Sequence, residues 1–554
     1  MARTCLLARG ILLYACLLAT AQAGGLDVPA FASGALGTAN ANGAEARDAS
    51  VIYYNPAGMT RLRGTHLSGS LTLLNLRGKV TDTGTTRTPP PGASNSEDGA
   101  PVSEDPQAQG RAGSFWPQIL ATGSGFISHQ INENTHIGLG VFAPAGGNIN
   151  YKKNWSGRYF VDSLAAETLA INPSAAYRFD DRHSVGIGFS VLAAHLRTIQ
   201  QIDVDGIEPY LIQPVVGLIG DAQPAGILDN LLLDNLGLGD LLPDLTIPAG
   251  TTFGALDPEL KAEVSRVLGS ALLTPDSRGS AKIEMYGYGL GYNLGYLYEH
   301  DERTRLSLAY RSKNLLRLRG ELDWDLDEVT AIIPLPDTRT GDLLSAEELL
   351  DRYLRPDTTA KTEITIPARL SLSVFRQVTP RLELMADYTF IESSVLDEIR
   401  IELSDQRDPQ GNRVRQGDGA IALDWRDSFR AAIGANYHWN DRLMLRSGFS
   451  FDLTPIPSPR ERHPATPDAN RYAYAIGANY RVNRQLSIDG AYSLVYIEGS
   501  ESEYRLDCRG IFREQGEDGL SEDPGSCTGN GGTFRGRFDP TVIHLLGVQL
   551  NYRL

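Results

Sequence analysis

The stretch KIEMYGYGLGYNLGYLY, residues 282–298, decides the fold of this chain. Its even positions from Tyr286 to Tyr298 are large and apolar, and its odd positions from Gly287 to Gly295 are small or polar. Alternation with a period of two predicts a β-strand whose two faces meet different surroundings. The large face is apolar with tyrosines towards both ends, which is typical of a strand that faces lipid and carries aromatic residues at each membrane interface.

The end of the chain repeats this pattern from Val542 to Leu554. Its even positions are mostly apolar, and its odd positions include Gly547, Gln549 and Asn551. About fourteen segments of this kind follow one another along the chain, and no helical pattern alternates with them. An even number of strands lets a closed antiparallel barrel begin and end on the same side of a membrane. The sequence therefore predicts an all-β fold, a 14-stranded antiparallel transmembrane β-barrel over residues 65–554.

Short and long connections alternate between these segments. Short turns such as Asn132-Glu133-Asn134 and Asp180-Asp181-Arg182 are expected on the periplasmic side, and long insertions, notably 199–280 and 320–362, on the extracellular side. The insertion 199–280 is rich in Leu and Ile. It either packs a small core of its own or offers an apolar landing site to a hydrophobic ligand, and these two interpretations are compatible.

Residues 1–23 have the features of a cleavable export signal. Arginines supply positive charge near the start, an apolar run follows, and Ala21-Gln22-Ala23 is a small-x-small cleavage site. We therefore expect the mature chain to begin at Gly24. Cys16 leaves lipid attachment as an alternative, although Ala21-Gln22-Ala23 fits signal cleavage better.

Cys508 and Cys527 are the cysteines that remain once the signal has been removed. Two cysteines in an exported chain are expected to form a disulfide bond. Such a bond would stabilise the protein by about 3 kcal/mol, chiefly by restricting the unfolded chain. Cys508–Cys527 is therefore a predicted disulfide within the last long insertion.

Residues 24–64 separate the export signal from the first predicted strand. They are rich in Gly, Ala, Ser and Asn, and they show neither a strand period nor a helix period. A segment this small and polar cannot build a core of its own. Its place ahead of a barrel predicts an N-terminal hatch, which is a plug stored inside the lumen, and hence a gated pore.

The third predicted strand ends early, at a proline. It runs through His136–Phe142 and is followed by Ala143, Pro144, Ala145, Gly146 and Gly147. A proline within a barrel strand removes a hydrogen-bond donor from the sheet and produces a bend or a bulge. Pro144, Gly146 and Gly147 therefore predict a kink that opens a sideways path from the lumen to lipid. The alternative is a loop that simply begins at Ala143.

Catalytic and cofactor motifs are absent from the sequence. There is no G-x-S-x-G motif, no H-E-x-x-H motif and no compact Cys/His cluster, so we expect no enzyme activity, no cofactor and no metal. The formal net charge is −16, which argues against a nucleic-acid partner. No apolar stretch after the signal is long enough for a transmembrane helix.

A series of short motifs follows in a fixed order along the mature chain. They are Gly34-Ala35-Leu36-Gly37, Asn55-Pro56-Ala57-Gly58-Met59, Trp155-Ser156-Gly157-Arg158-Tyr159, Asn172-Pro173-Ser174, Phe429-Arg430 with Ala432-Ile433-Gly434, Leu445-Arg446-Ser447-Gly448, Asp452-Leu453-Thr454-Pro455 and Pro467-Asp468-Ala469-Asn470-Arg471-Tyr472. In this combination the chain resembles the FadL family of outer-membrane long-chain fatty acid transporters, which includes transporters of aromatic hydrocarbons. The resemblance covers essentially the whole mature chain. It implies a 14-stranded barrel, an N-terminal hatch, a kinked third strand that opens the wall, and capture of hydrophobic compounds between long loops.

The resemblance also implies particular site residues. Asn55, Pro56 and Ala57 match the hatch motif of the family. By position relative to the family's strands, Arg197 and Arg400 are the predicted partners of a ligand carboxylate, a role that suits the forked guanidinium group. Transport would proceed by diffusion down a gradient, without ATP or an ion gradient.

The sequence leaves four classes of function open. The first is an outer-membrane transporter of long-chain fatty acids or of aromatic hydrocarbons, between which the sequence does not decide. The other three are a general porin for polar solutes, an outer-membrane enzyme such as a lipase, and an adhesive or structural barrel. The hatch-like segment and the missing nucleophile motif count against these three.

The expected partners are a hydrophobic small molecule, outer-membrane lipid and the barrel assembly machinery, and we expect a monomer. Leu554 replaces the usual terminal Phe of the assembly signal.

Overall fold

The computed structural model describes residues 32–87, 118–203, 278–328, 356–407, 419–506 and 531–554, together with 108, 110, 112–114, 335–336, 343–344, 411 and 413–414. The predicted export signal, most of the insertions 199–280 and 320–362, and both Cys508 and Cys527 lie outside these residues. The predictions for an apolar landing site and for a disulfide bond therefore stay predictions.

Within the described residues, fourteen antiparallel strands close into one barrel. They are β1 (Thr65–Leu76), β2 (Gln118–Gln130), β3 (Thr135–Phe142 and Gly146–Asn150), β4 (Ser163–Arg178), β5 (His183–Ile202), β6 (Arg278–Asp301), β7 (Thr304–Arg311 and Asn314–Glu328), β8 (Thr358–Ile366 and Arg369–Gln377), β9 (Leu382–Ile391 and Glu398–Leu403), β10 (Gly419–Ala422 and Ser428–His438), β11 (Leu443–Asp452), β12 (Arg471–Arg481), β13 (Leu486–Ile497) and β14 (Thr541–Arg553). The barrel closes because β1 pairs with β2 on one side, Thr65 opposite His129, and with β14 on the other, His66 opposite Arg553. The predicted 14-stranded barrel is confirmed.

The two faces of each strand differ as the alternation predicts. On β6 the outward side chains of Tyr286, Tyr288 and Leu290 are at least 60% exposed, whereas the inward Ile283 and Met285 are buried. In water such a wide apolar surface would drive association, but in a bilayer it meets lipid. Among the described residues, no helix is long and apolar enough to cross a membrane.

Short turns close one end of the barrel, as the sequence predicts. The Asn132 Oδ1 atom accepts hydrogen bonds from the backbone N–H groups of Asn134 and Thr135, at 3.0 and 2.8 Å. Asp180 makes the same pair of bonds in the next short turn, to Arg182 and His183. These side chains hold the tight reversal of the chain because they replace backbone acceptors that the turn cannot supply.

The long connections at the other end carry some structure of their own. Val80–Asp82, Ser500–Leu506 and Gly532–Phe538 form a small three-stranded sheet that the sequence analysis did not predict. A buried apolar cluster lies beneath it, in which Trp155 stacks on Tyr151 with 3.7 Å between ring centroids. The motif around Trp155 therefore builds the long-connection end of the barrel.

Residues 32–64 lie inside the barrel. They form α1 (Ser33–Leu36), α2 (Val51–Tyr54) and a 3₁₀ helix (Pro56–Arg61), and most of their side chains are buried. Their hydrogen bonds reach strands on different sides of the lumen: Gly34 to Gln549 of β14, Gly43 to Asp387 of β9, Asn55 to Ser307 of β7 and Thr60 to Ser184 of β5. We call these residues the N-terminal segment.

A candidate ligand site inside the barrel

Asn55, Pro56 and Ala57 fix one end of the N-terminal segment to the wall. The Asn55 side chain is fully buried, and its Oδ1 atom accepts from the backbone N–H of Ala57 at 2.9 Å, capping the 3₁₀ helix. Its Nδ2 atom donates to Ser307 Oγ at 2.6 Å and to the Tyr296 carbonyl at 3.0 Å. One side chain therefore caps a helix and joins it to β6 and β7.

Two glycines of the barrel wall make room for this contact. A Cβ atom on Gly295 would collide with Asn55 Oδ1, and one on Gly186 would collide with the backbone of Ala57. These two glycines of the inner face therefore form part of the surface on which Asn55 and Ala57 rest.

Replacing Asn55 by Ala should loosen the N-terminal segment while the barrel still folds. The substitution leaves the Ala57 N–H and Ser307 without their buried partner, which costs about 1–3 kcal/mol. We expect faster protease cleavage within residues 32–64 and unchanged heat-modifiable migration of the barrel on a gel. Asn134→Ala, in an exposed turn, is the control, and equal cleavage rates in the two variants would contradict the anchoring role.

A buried group of charges fixes the other part of the segment. Glu45 accepts from Arg446 Nη1 at 2.9 Å and pairs with Arg47 Nε at 2.7 Å. On its other side Arg446 pairs with Asp489, at 3.4 Å. Burial alone would raise the pKa of the Glu45 carboxyl, but Arg446 and Arg47 outweigh it and the pKa lies below its usual value. Glu45 is therefore ionised at neutral pH and ties the segment to β11.

Arg305 adds a further contact from β7. Its guanidinium donates to the carbonyl groups of Ala44 and Glu45 at 3.0 and 3.1 Å, and it lies 3.7 Å from the ring centroid of Phe375. The backbone around Glu45 is thus held from β7 as well as from β11. The N-terminal segment has two fixed regions, one around Glu45 and one at Asn55.

Between these two regions, the segment and strands β6 to β10 line a partly open cavity, the inner cavity, whose empty space is about 700 Å³ with open solvent included. Its lining carries three arginines, Arg311, Arg369 and Arg430, against one aspartate, Asp387. Tyr53 of α2 also lines it. The surplus of positive charge suits a ligand that carries one carboxylate.

A second, partly open cavity, the outer cavity, has an empty space of about 530 Å³ with open solvent included, and it shares Arg369 and Arg430 with the inner one. Its wall includes the apolar side chains of Pro367, Ile391 and Phe429. Arg430 is paired with Asp452 through two bonds of 2.6 and 2.9 Å, so its charge is largely balanced. Arg369 also lines both cavities, so it can meet a ligand from either one.

Much of the lumen beyond the inner cavity, towards the long connections, is apolar. Its inward side chains form one buried cluster: Leu192 and Leu196 of β5, Ile283 and Met285 of β6, Leu316, Leu318, Leu322 and Trp324 of β7, and Ile366 of β8. Porin interiors are polar because water and polar solutes fill them. This lining is suited to hydrocarbon, and it counts against a general porin.

The barrel wall is interrupted beside β3. Residues 143–145 stand opposite only Thr168 and Leu169 of β4, so β3 carries a one-residue bulge. Among the described pairings, β2 joins β3 only over Gly125–Gln130, and Gly146–Asn150 of β3 joins only β4. Residues 118–124 of β2 therefore pair with β1 along one edge. Along their other edge, no described strand is hydrogen-bonded to them, and this gap is the break in the wall.

The predicted kink residues lie at this break. Pro144 and Gly146 are buried and Gly147 is half-buried. Phe142, the last residue before the bulge, is fully buried and packs on Phe126, with 5.8 Å between ring centroids. An aromatic pair thus lies just inside the break.

The two predicted carboxylate partners lie elsewhere. Arg197 is exposed and shares its face of β5 with Val191, which is 50% exposed towards the outside of the barrel. Arg400 is exposed on β9 and pairs with Glu398 at 2.9 Å. Neither lines the inner or the outer cavity. Their role in binding stays a prediction.

Sequence reasoning missed Arg311 and Arg369, although a usable signal was present. Both arginines occupy inward positions at points where their strands break, Arg311 before Ser312-Lys313 and Arg369 after Pro367-Ala368. Counting by twos from the exposed Leu370 and Leu372 places Arg369 on the inner face. Counting by twos from the exposed Val191 places Arg197 on the outer face of β5.

Comparison with known proteins agrees with this architecture. The profile of the family described as outer membrane protein transport protein (OMPP1/FadL/TodX) matches residues 14–510. Outer membrane protein P1 of Haemophilus influenzae is 25% identical over 88% of this chain and 91% of its own, and the long-chain fatty acid transport protein of Escherichia coli K12 is 22% identical over 92% and 97%. Among solved structures, a Pseudomonas aeruginosa FadL homologue has a TM-score of 0.65 at 20% identity, covering 96% and 100%, and the Pseudomonas putida toluene transporter TodX has 0.53 at 14%, covering 96% and 99%.

The fold and the plugged, apolar lumen define an outer-membrane β-barrel transport protein, not an enzyme. The chain belongs to the FadL family, whose members transport hydrophobic compounds. The family resemblance and the outer-membrane location predicted from the sequence are confirmed.

Proposed function

We propose that this protein takes up long-chain fatty acids across the outer membrane by diffusion. The observation that carries the proposal is the inner cavity, where three arginines and one aspartate meet the apolar lumen. A cavity of this kind binds an amphiphile with a carboxylate at one end and a hydrocarbon chain behind it. The similarity to proteins named as long-chain fatty acid transport proteins supports the same cargo.

The proposed route begins at the long connections and ends in the bilayer. Each methylene of the ligand that leaves water contributes about 0.8 kcal/mol, so an apolar chain partitions onto the apolar loops and then into the lumen. Insertions 199–280 and 320–362 are the proposed landing sites. Arg369 then holds the carboxylate, and the ligand leaves through the break beside β3, at Pro144, Gly146 and Gly147.

The N-terminal segment is the proposed hatch. It crosses the lumen and is bonded to strands on different sides of it, so a ligand passes only if part of the segment shifts or is bypassed. Outer-membrane lipid receives the ligand, and no energy source is needed because the gradient drives the movement. The barrel assembly machinery as partner and a monomeric state remain predictions.

Uptake of aromatic hydrocarbons is the second candidate. It is favoured by the ring cluster of Tyr53, Phe126 and Phe142 beside the wall break, with ring centroids 5.0 and 5.8 Å apart. The fold similarity to a toluene transporter supports it too. A hydrocarbon such as toluene carries no carboxylate for the arginines to bind, and this difference separates the two candidates.

Uptake of labelled oleate and of labelled toluene should be measured in cells with and without the gene. We expect oleate entry to depend on the protein and to fall about tenfold in Arg369→Ala, because a charge-assisted hydrogen bond of a carboxylate is lost. Toluene entry should not change in this variant. Arg376→Ala, an exposed arginine on the same strand, is the matched control.

The same assay decides between the alternatives. If neither compound depends on the protein, the transport proposal fails, and if toluene alone does, the fatty acid proposal fails. Arg197→Ala and Arg400→Ala are measured alongside. A larger loss of oleate entry in either of them than in Arg369→Ala would place the carboxylate at the outer face instead.

A further inference from the structure

Tyr53 is the residue at which the inner cavity and the wall break meet. It lies on α2, lines the cavity and is half-buried. It contacts two cations of the cavity on one side and Phe142, beside the break, on the other. The inference drawn from it rests on the proposed function.

Both cations hold Tyr53 directly. Arg369 Nη1 donates to the Tyr53 hydroxyl at 3.2 Å, and Arg311 Nη2 donates to the Tyr53 carbonyl at 3.0 Å. The Arg311 guanidinium also lies 4.7 Å from the centroid of the Tyr53 ring. A ligand that reaches these arginines therefore competes with Tyr53 for the same donors.

The ring of Tyr53 also supports the residue that precedes the wall break. It meets Phe142 edge to face, with 5.0 Å between centroids, and Arg311 lies 5.5 Å from the Phe142 ring. Phe142 is the last residue of β3 before the bulge at 143–145. Any displacement of the Tyr53 ring therefore removes one of the supports of Phe142.

The residues before and after Tyr53 in the chain are held by the barrel wall, so the Tyr53 side chain can rotate while its backbone stays in place. Ile52 is fully buried, and a Cβ atom on Gly138 would lie 2.6 Å from its Cδ1 atom. Asn55 is held by β6 and β7. A rotation of the Tyr53 side chain requires neither anchor to break, whereas a displacement of the whole segment breaks both.

We propose that Tyr53 is a positioning residue that couples carboxylate binding to opening of the wall. A ligand carboxylate accepts from Arg369 more strongly than a phenol oxygen does, because the anion adds an ion-pair attraction to the hydrogen bond and can accept from two guanidinium nitrogens at once. The carboxylate takes the donor, the Tyr53 side chain turns away, and Phe142 loses its edge-to-face partner. Phe142 then rotates and the path to the break opens. A neutral ester of the same chain length does not displace Tyr53 and is held back.

The test compares oleate with methyl oleate in cells that express each variant. Tyr53→Phe removes the hydroxyl and keeps the ring, so oleate should reach half-maximal uptake at about fivefold lower concentration. Methyl oleate entry should be slow in the unmodified protein and should rise in Tyr53→Phe, because the closed state has lost a hydrogen bond. Phe142→Leu should raise methyl oleate entry without changing the half-maximal concentration of oleate, since it leaves the arginines untouched.

Tyr288→Phe is the control, because it removes the same hydroxyl from a tyrosine that is 68% exposed on the outer face of β6 and lines neither cavity. It should leave the uptake of oleate and of methyl oleate unchanged. If Tyr53→Phe behaves like Tyr288→Phe while oleate entry still depends on the protein and on Arg369, the coupling by Tyr53 is overturned and the transport proposal stands. If oleate entry does not depend on the protein at all, the transport proposal itself fails.

Discussion

Deletion of Pro144 is expected to abolish uptake while leaving the barrel assembled. Three residues, 143–145, now face two residues of β4, and removing one of them cancels the bulge. The rest of β3 can then continue in one register with β4 and pair along the earlier half of β2. A sheet without this break has no lateral exit, so entry of oleate should fall to that of cells without the gene.

Pro144→Ala is the informative control for this deletion. It restores a backbone donor but keeps the extra residue, so the bulge and the break persist. We expect it to retain most of the uptake. Heat-modifiable migration on a gel reports that each variant is folded. Normal uptake in a folded deletion variant would contradict the account of the break.

Replacing Arg446 by Leu is expected to have the largest effect on stability. The substitution leaves the carboxylates of Glu45 and Asp489 buried beside each other without the guanidinium that now separates them. Breaking a buried ion pair from one side costs about 3–5 kcal/mol. We expect a lower denaturant midpoint, release of the N-terminal segment to protease, and leakage of small polar solutes.

The double variant Arg446→Leu, Glu45→Gln tests whether the buried charge is the cause. In the single variant Glu45 keeps its pair with Arg47 but has lost Arg446. Removing the charge of Glu45 should therefore recover part of the lost stability, because Glu45 and Arg446 are coupled. Arg442→Leu, in an exposed turn of the same hairpin, should change the midpoint little. An equal loss in the single and the double variant would show that packing, and not charge, accounts for the effect.

The barrel could be predicted from the sequence because its signal is local. Alternation such as that of residues 282–298 can be recognised within a single strand. About fourteen strands of this kind, with no helical pattern between them, are compatible with few folds other than a membrane barrel. The sheet of Val80–Asp82, Ser500–Leu506 and Gly532–Phe538 was missed because its strands are short and their pairing joins distant parts of the chain. Short strands without alternation carry no period to detect.

The candidate site was harder to predict, for the same physical reason. Glu45 and Arg446 are 401 residues apart, and nothing near either one shows that they meet. The lining of the inner cavity combines α2 with five strands, and Tyr53 reads as an ordinary residue next to a known motif. Strand ends could be placed from the sequence, but the face on which an arginine lies had to be counted residue by residue, as Arg197 and Arg369 show.

A structure of the protein with bound oleate tests the central proposal most directly. The account predicts the carboxylate in the inner cavity, with an oxygen about 3 Å from a guanidinium nitrogen of Arg369. The hydrocarbon chain should lie along the apolar lumen, against side chains such as Leu316 and Leu318. Oleate bound with its carboxylate away from Arg369 and Arg311, or a lumen that stays empty at saturating oleate, would contradict it.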